Sequence, residues 1–178
     1  YEEYIANDII FTENYKILQE NIRNISEKYS TTLESFQYAI NQTGGTHSFT
    51  IAPNTWRHSL VSHYKTKHPT VEINCMAFDE ILNRHKDINC IKLDIEGSEL
   101  EILKGATTTL CKVEYICLEA GYNTQRVNTN AKDILDFLRS QDFDLIDNDW
   151  PNTNSNELPI DDGEHKVFCL LFKKNPKN

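Results

Sequence analysis

The stretch from Cys90 to Ala106 constrains the fold of this 178-residue chain more than any other part of it. Its first half alternates apolar with polar residues, and the apolar positions are Ile91, Leu93 and Ile95. This alternation predicts a strand over residues 91–96. Gly97 breaks the pattern, and Ser98 with Glu101 three residues later has the spacing of a capping box at a helix start. The sequence therefore predicts a strand, a turn and a helix in direct succession.

Three carboxylates come together at this turn, and Gly105 is the expected C-cap of the helix after it. The carboxylates belong to Asp94, Glu96 and Glu99. Ligands bind outside the carboxyl ends of the strands in open α/β sheets, so the turn is the first candidate for a functional site. The alternative is that these acids are solvated or cap the turn.

Composition and charge exclude several classes of protein. Hydrophobic residues make up 39% and charged residues 25%, which is typical of a globular chain. The net charge of -9, with scattered basic residues, argues against nucleic acid as a partner. No apolar run reaches the length of a membrane span. Five cysteines without a CxxC pair predict reduced thiols and an intracellular, reducing compartment.

The remaining periodicity predicts one α/β domain over residues 1–178. Residues 4–11 fit either a short strand or the front of a helix. Helices are expected at 13–25, 77–84, 98–104 and 131–139. Strands are expected at 33–40, 48–51, 71–75, 115–119, 143–146 and 167–172. A turn at 43–46 suggests that the first two strands of this series form a hairpin.

Residues 92–99, Lys-x-Asp-Ile-Glu-Gly-x-Glu, followed by Leu-x-Ile-Leu-Lys-Gly-Ala at 100–106, closely resemble the signature of the FkbM-type methyltransferases. Residues 78–82 resemble the segment that precedes that signature, and the closing helix, strand, loop and strand fit the family's antiparallel hairpin. The resemblance implies a Rossmann-like class I methyltransferase sheet with helices on both faces. It also implies S-adenosylmethionine as cofactor and O-methylation of a hydroxyl on a sugar, glycan or small metabolite.

One part of the family pattern has no counterpart in the sequence. The family's first strand and its glycine-rich loop, Asp-x-Gly-Ala-Asn-x-Gly, are not matched by any of the six glycines. That loop lets the backbone approach the cofactor closely. We therefore expect an N-terminally incomplete domain whose 178 residues alone bind S-adenosylmethionine weakly or not at all. The alternative is a non-catalytic, methyltransferase-like subunit that works with other proteins in a larger assembly.

The resemblance assigns catalytic roles at the strand end. The predicted catalytic residues are Asp94 and Glu96, which the resemblance assigns, and His58, which lies beside Ser59. Similar enzymes place the first two where the transferred methyl group lies, so they are expected to bind acceptor hydroxyls, act as a base or hold a cation. His58 is the best-placed histidine for accepting a proton, although a loop histidine is usually only solvated. No dedicated metal site is predicted.

Most binding roles follow from the same resemblance, whereas that of Glu119 follows from its place at the end of a strand. The predicted cofactor-binding residues are Asp8, which matches the acid that binds ribose, Ala39 and Ile40, which flank adenine, and Asp94. The predicted substrate-binding residues are Ser59, Lys92 and Glu119. Ordinary alternatives stay open: Ala39 and Ile40 simply end a strand, Lys92 pairs with a neighbouring acid, and Glu119 ends the strand at 115–119.

Overall fold

The computed structural model describes residues 9–36, 38–50, 70–95, 97–121, 129–149, 154, 156–158 and 167–176. The chain divides into two compact units, residues 1–39 and 40–178. Helices and strands are numbered below in chain order over the described residues. Among the described helices, none combines the length with the apolar composition needed to cross a bilayer.

The first unit is built on helix α1, Ile9–Tyr29. The helix ends where Ser30 takes a φ of 50°, and the Thr31 N–H donates to the Ser26 carbonyl at 3.3 Å. The Tyr15 hydroxyl donates to the Ser35 carbonyl at 3.3 Å, so the chain after the helix turns back along it. The predicted helix at 13–25 is confirmed, and residues 9–11 form its front. The alternative, a short strand ending at Asp8, falls outside the described residues.

The predicted strand at 33–40 is wrong for most of its length. Only Ala39–Asn41 forms a strand, and residues 33–36 and 38 have no regular structure. Two of the three apolar residues that suggested the alternation, Phe36 and Tyr38, are exposed, and so is Leu33 at the start of the segment. The third, Ile40, is half-buried and lies in the short strand that does form. Alternation stabilises a strand only when one face is buried, and that condition fails here.

A three-stranded sheet follows, with the order β1-β3-β2. Its strands are β1 (Ala39–Asn41), β2 (Gly45–Thr50) and β3 (Thr70–Ala77). Strands β2 and β3 pair antiparallel, from Gly45 opposite Cys75 to Thr50 opposite Thr70. The predicted hairpin between β1 and β2 is therefore wrong, because both strands lie beside β3 instead of beside each other.

A four-stranded sheet has the order β4-β5-β7-β6. Its strands are β4 (Ile88–Leu93), β5 (Val113–Gly121), β6 (Phe143–Asn148) and β7 (Val167–Lys174). Strands β4 and β5 are parallel, whereas β7 is antiparallel to both β5 and β6. The predicted closing hairpin is confirmed. Strand β6 consequently runs in the same direction as β4 and β5, and all three carboxyl ends meet at one edge.

Four helices accompany this sheet: α2 (Phe78–Leu82), α3 (Glu99–Lys104), α4 (Thr107–Leu110) and α5 (Ala131–Ser140). Apolar side chains from one face of the sheet and from these helices form a single buried cluster. Its fully buried members include Ile116, Leu118, Leu170, Phe172, Leu103, Leu110, Ile134 and Leu138. On the opposite face, Cys90 and Lys92 are exposed and Cys117 is half-buried. The predicted Rossmann-like α/β class is confirmed.

Two contacts between elements fix the helices near the candidate site. A Cβ atom on Gly105, the C-cap of α3, would lie 2.4 Å from the carbonyl oxygen of Gln42, so only glycine fits there. The carboxylate of Asp79 in α2 accepts the N–H groups of Thr108 at 3.0 Å and Thr109 at 2.7 Å. The second contact satisfies backbone donors at the start of α4.

Candidate active site

Three acidic side chains lie at the carboxyl edge of the four-stranded sheet. Asp94 directly follows β4, Glu119 lies near the end of β5, and Asp149 directly follows β6. Their strands run in the same direction, so their ends share one edge, which is where α/β sheets bind ligands. The sequence predicted Asp94 and Glu119 but missed Asp149. An acid placed directly after a strand was the available signal for it.

Lys92 joins two of these acids across neighbouring strands. Its Nζ atom lies 3.6 Å from Asp94 Oδ2 and 4.0 Å from Glu119 Oε1. It also donates to the Leu93 carbonyl at 3.3 Å. We call Lys92, Asp94 and Glu119 the Lys92 cluster. The structure thus brings together three of the residues for which the sequence predicted a role.

The Lys92 cluster is open to solvent. The exposed fractions of the side chains are 47% for Lys92, 54% for Asp94 and 33% for Glu119. Exposed ion pairs contribute only about 0–1 kcal/mol to stability. Stability therefore explains little of the arrangement, whereas accessible donor and acceptor groups at a strand end suit ligand binding.

The turn after Asp94 is held by a buried carboxylate. Glu99, only 2% exposed, accepts the N–H of Ile95 at 3.4 Å and that of Gly97 at 3.2 Å through its Oε1 atom. Gly97 is buried and has a φ of 110°, a conformation that favours glycine. The predicted capping box is wrong, because Ser98 occupies the N-cap position without a side-chain cap hydrogen bond.

Strand β4 is also shorter at its end than predicted. It stops at Leu93 rather than at residue 96, so Asp94 begins the turn instead of continuing the pleat. The Glu99 hydrogen bonds to Ile95 and Gly97 satisfy backbone groups that would otherwise continue a strand ladder. This change of backbone partner accounts for the early end of the strand.

Asp149 is tied to the edge through strand β7. Its Oδ1 atom accepts the N–H of Cys169 at 2.7 Å, and its own N–H donates to the Cys169 carbonyl at 3.3 Å. Cys169 in turn lies opposite Glu119 in the β5–β7 register. These contacts place the Asp149 carboxylate on the same edge as the Lys92 cluster.

Thiols lie among these charged groups without being activated by them. Burial raises the pKa of the Cys117 thiol, and Lys92 opposes this effect, while Cys90, Asp149 and Glu119 add to it. The net result is a raised pKa, so the thiol is protonated at neutral pH and is a poor nucleophile. Cys117 is therefore not a candidate nucleophile, and the carboxylates and the ammonium group are the candidate functional groups of this edge.

The structure describes only some of the other residues with predicted roles. Four of them lie outside the described residues: Asp8, His58, Ser59 and Glu96. Ala39 and Ile40 lie in β1, and Ile40 packs against the buried cluster. The cofactor-binding roles of these two residues stay predictions. Within the described ranges, no three His, Cys, Asp or Glu side chains are grouped so that they could hold a metal ion.

Comparisons with known proteins concern the family of the chain. A family model described as a methyltransferase FkbM domain matches residues 6–145. Among curated proteins, the chain is similar to the hexuronic acid methyltransferase AglP of Haloferax volcanii, with 27% identity over 148 residues. The aligned region covers 78% of this chain, and the chain spans 60% of the length of that relative. No solved structure matches the chain at the same level of significance.

Proposed function

This chain belongs to the FkbM methyltransferase family, and from that membership we propose that it transfers the methyl group of S-adenosylmethionine to a hydroxyl oxygen of a sugar, glycan or small metabolite. The observation that carries the proposal is the Lys92 cluster, an exposed constellation at the carboxyl end of β4 and β5. Its members offer a proton acceptor, a hydrogen-bond donor and a second carboxylate within reach of one bound molecule.

The charge of the edge fits the cofactor. The edge has a net negative charge, because it carries three carboxylates, Asp94, Glu119 and Asp149, and one ammonium group, Lys92. S-adenosylmethionine carries a positively charged sulfonium group, which such an edge attracts. When bound, the cofactor supplies a methyl group that is activated for displacement. Carboxylates near that position stabilise the positive charge of the sulfonium before the reaction. They are weaker nucleophiles than an alkoxide, so they do not take the methyl group themselves as readily.

The protein's own groups then manage the acceptor hydroxyl. As the new carbon–oxygen bond forms and the sulfur–carbon bond breaks, the hydroxyl proton must leave, and Asp94 accepts it in this proposal. Lys92 donates a hydrogen bond to an oxygen of the acceptor, and Glu119 accepts one from a neighbouring hydroxyl. Holding the two reacting atoms in line supplies much of the remaining acceleration.

The acceptor we favour is a sugar. The similar protein AglP is described as acting on hexuronic acid. Adjacent donor and acceptor groups, such as Lys92 and Glu119, also suit the vicinal hydroxyls of a sugar ring. The test supplies radiolabelled S-adenosylmethionine and a panel of acceptors to the protein as the cell produces it. We expect label in a hexuronate or a neutral hexose glycan, whereas absence of label from every hydroxyl acceptor would contradict the proposal.

A second candidate is a methyltransferase-like scaffold in a larger assembly. The observation that favours it is that the 178 residues contain no glycine-rich loop of the family type. A scaffold would migrate with another subunit on a native gel and transfer no methyl group when that assembly is assayed. Methyl transfer by the assembly that is lost on substitution of Asp94 would exclude the scaffold.

We also propose that the protein works in a reducing compartment. All five cysteines are free thiols, and Cys75 is buried. Burial raises the pKa of the Cys75 thiol and keeps it unreactive. The protein is purified without reductant and without alkylating agents, and it is then denatured. Titration of its thiols should find five per chain. Fewer than five would contradict this assignment.

A further inference from the structure

We propose that Glu99 is a positioning residue for the methyl transfer, because its buried carboxylate holds the turn after β4 and thereby sets the position of Asp94. This inference rests on the proposed function. It gives a role to a residue that makes no contact of its own with the Lys92 cluster among the hydrogen bonds and ion pairs described above.

The first support is the burial of Glu99. The residue is 2% exposed, and glutamate is rarely buried to this degree unless its carboxylate is engaged by other groups. Its Oε1 atom accepts from the backbone N–H groups of Ile95 and Gly97. One oxygen atom therefore contacts the backbone at two points of the same turn.

The second support is the anchoring of Glu99 itself. It is the first residue of α3, and the helix packs into the core through three buried side chains, Leu100, Ile102 and Leu103. A carboxylate that starts from a fixed helix and ends on the Ile95 N–H constrains the peptide unit directly after Asp94. The direction in which the Asp94 side chain leaves the strand depends on that peptide unit.

The third support is that a carboxylate is a costly choice for a purely structural contact. Burying a charged group carries a large desolvation cost, and uncharged residues of similar volume often replace buried ionic groups without loss of stability. A turn that only had to be filled would therefore be served by an apolar side chain, which accepts no backbone N–H group. Accurate placement of a reacting group has a larger effect, because a displacement of about 1 Å at that group can lower the rate about a hundredfold.

The test compares two substitutions with a matched control on the same helix. Glu99→Gln keeps the length of the side chain and one acceptor oxygen, whereas Glu99→Ala removes both oxygens. Glu101→Ala is the control, because Glu101 is exposed and pairs with Lys104 at 2.7 Å rather than with the turn. All variants are assayed as the protein is produced by the cell, at a temperature where each is fully folded by near-ultraviolet circular dichroism.

We expect Glu99→Ala to lower kcat by about tenfold to a hundredfold, with the dissociation constant of the cofactor unchanged. Glu99→Gln should recover kcat to within about threefold of the wild type, because an oxygen can still accept the two N–H groups. Glu101→Ala should behave as the wild type does. Amide hydrogen exchange at Ile95 and Gly97 should be faster in Glu99→Ala alone.

Three results would overturn the inference. The first is a wild-type kcat for folded Glu99→Ala, and the second is a loss that follows only the folded fraction. The third is unchanged amide exchange at Ile95 and Gly97, which shows that the carboxylate does not hold the turn. A wild-type protein that transfers no methyl group would overturn the proposed function instead. The exchange data would then still decide whether Glu99 holds the turn.

Discussion

At the scale of single residues, the position of Lys92 gives a direct prediction about acceptor binding. It lies between two acids from neighbouring strand ends, and its ammonium group is accessible. We predict that Lys92→Met raises the KM for the acceptor by about tenfold, the value of one hydrogen bond to a charged group. The free energy of unfolding should change by less than about 1 kcal/mol, since the pairs are exposed.

The control for that prediction is Lys104→Met. Lys104 is also exposed and paired, with Glu101, but it lies in the last turn of α3, at the end of that helix opposite to the Asp94 turn. Steady-state kinetics and chemical denaturation of both variants separate the two quantities. An unchanged KM in Lys92→Met would remove Lys92 from acceptor binding.

Asp79 gives a prediction about stability and pH. Burial raises the pKa of Asp79, but hydrogen bonds from Thr109 and Thr108 outweigh burial and hold the pKa below its usual value of 3.8. We predict that Asp79→Asn lowers the free energy of unfolding by about 1 kcal/mol at neutral pH, as loss of a helix-capping carboxylate does. Exposed Asp87, replaced by Asn, is the control.

The pH dependence of the Asp79 effect has a defined sign. A carboxylate whose pKa is lowered by folding stabilises the folded state above its unfolded pKa and loses that contribution as the pH falls through the folded value. The difference in unfolding free energy between wild type and Asp79→Asn should therefore be full at pH 7 and shrink below about pH 4. A difference that grew on acidification would contradict this account.

The sequence identified only part of the site, for reasons visible at single residues. Asp94, Lys92 and Glu119 were found because alternation and strand ends are local patterns. Asp149 and the carboxylate contacts of Glu99 were missed, because both depend on backbone groups brought close by folding. A local motif assigned the capping role to Ser98, but in the structure Glu99 makes the hydrogen bonds that hold the turn.

At the scale of elements, the second unit was the more predictable of the two. Strands β3 to β7 and helices α3 and α5 lie where apolar periodicity placed them, with ends shifted by a few residues. Such periodicity reports burial, and these elements form the core. Leu33, Phe36 and Tyr38 are exposed, so the predicted strand that began at residue 33 was wrong over these positions.

Strand partners could not be predicted from the same patterns. The glycine-containing turn at 43–46 suggested pairing of β1 with β2, but β3 lies between them. Residues 45–50 pair with residues far along the chain, from Cys75 back to Thr70. The choice among partners depends on the packing of the whole sheet, which no local window contains.

The junction of α3 with the end of β1 gives a prediction at the element scale. A Cβ at position 105 would lie 2.4 Å from the oxygen and 2.8 Å from the Cα atom of Gln42, both backbone atoms that cannot move alone. We predict that Gly105→Ala lowers the free energy of unfolding by about 1–3 kcal/mol, the usual cost of overpacking. Urea denaturation measures it.

Gly44→Ala provides the comparison for this junction. A Cβ there would lie 2.8 Å from Glu80 Oε2, which belongs to a flexible side chain that can rotate away. The loss of stability should be smaller than in Gly105→Ala. An equal or greater loss in Gly44→Ala would show that the approach of Gln42 to α3 is not as tight as described.

At the scale of the whole molecule, the family pattern and the sequence differ in one respect that affects cofactor binding. The 178 residues carry the strand-end acids but no loop of the form Gly-Ala-Asn-x-Gly. Affinity for a small ligand comes mainly from a preformed pocket that excludes water and fixes polar partners. We predict that calorimetric titration of the 178-residue chain alone gives no micromolar binding of S-adenosylmethionine. Micromolar binding by a stable monomer would show that another segment replaces the loop.

The central claim is that the carboxyl edge of the four-stranded sheet performs methyl transfer with Asp94 as proton acceptor. The most direct measurement is radiolabelled methyl transfer by the protein as the cell produces it, with Asp94→Asn compared against Asp144→Asn. Asp144 is also exposed, but it lies opposite Lys173 at the far end of β6. We predict that Asp94→Asn lowers kcat by about a hundredfold or more at unchanged thermal stability, while Asp144→Asn keeps wild-type turnover. Wild-type transfer by a folded Asp94→Asn variant would contradict the claim.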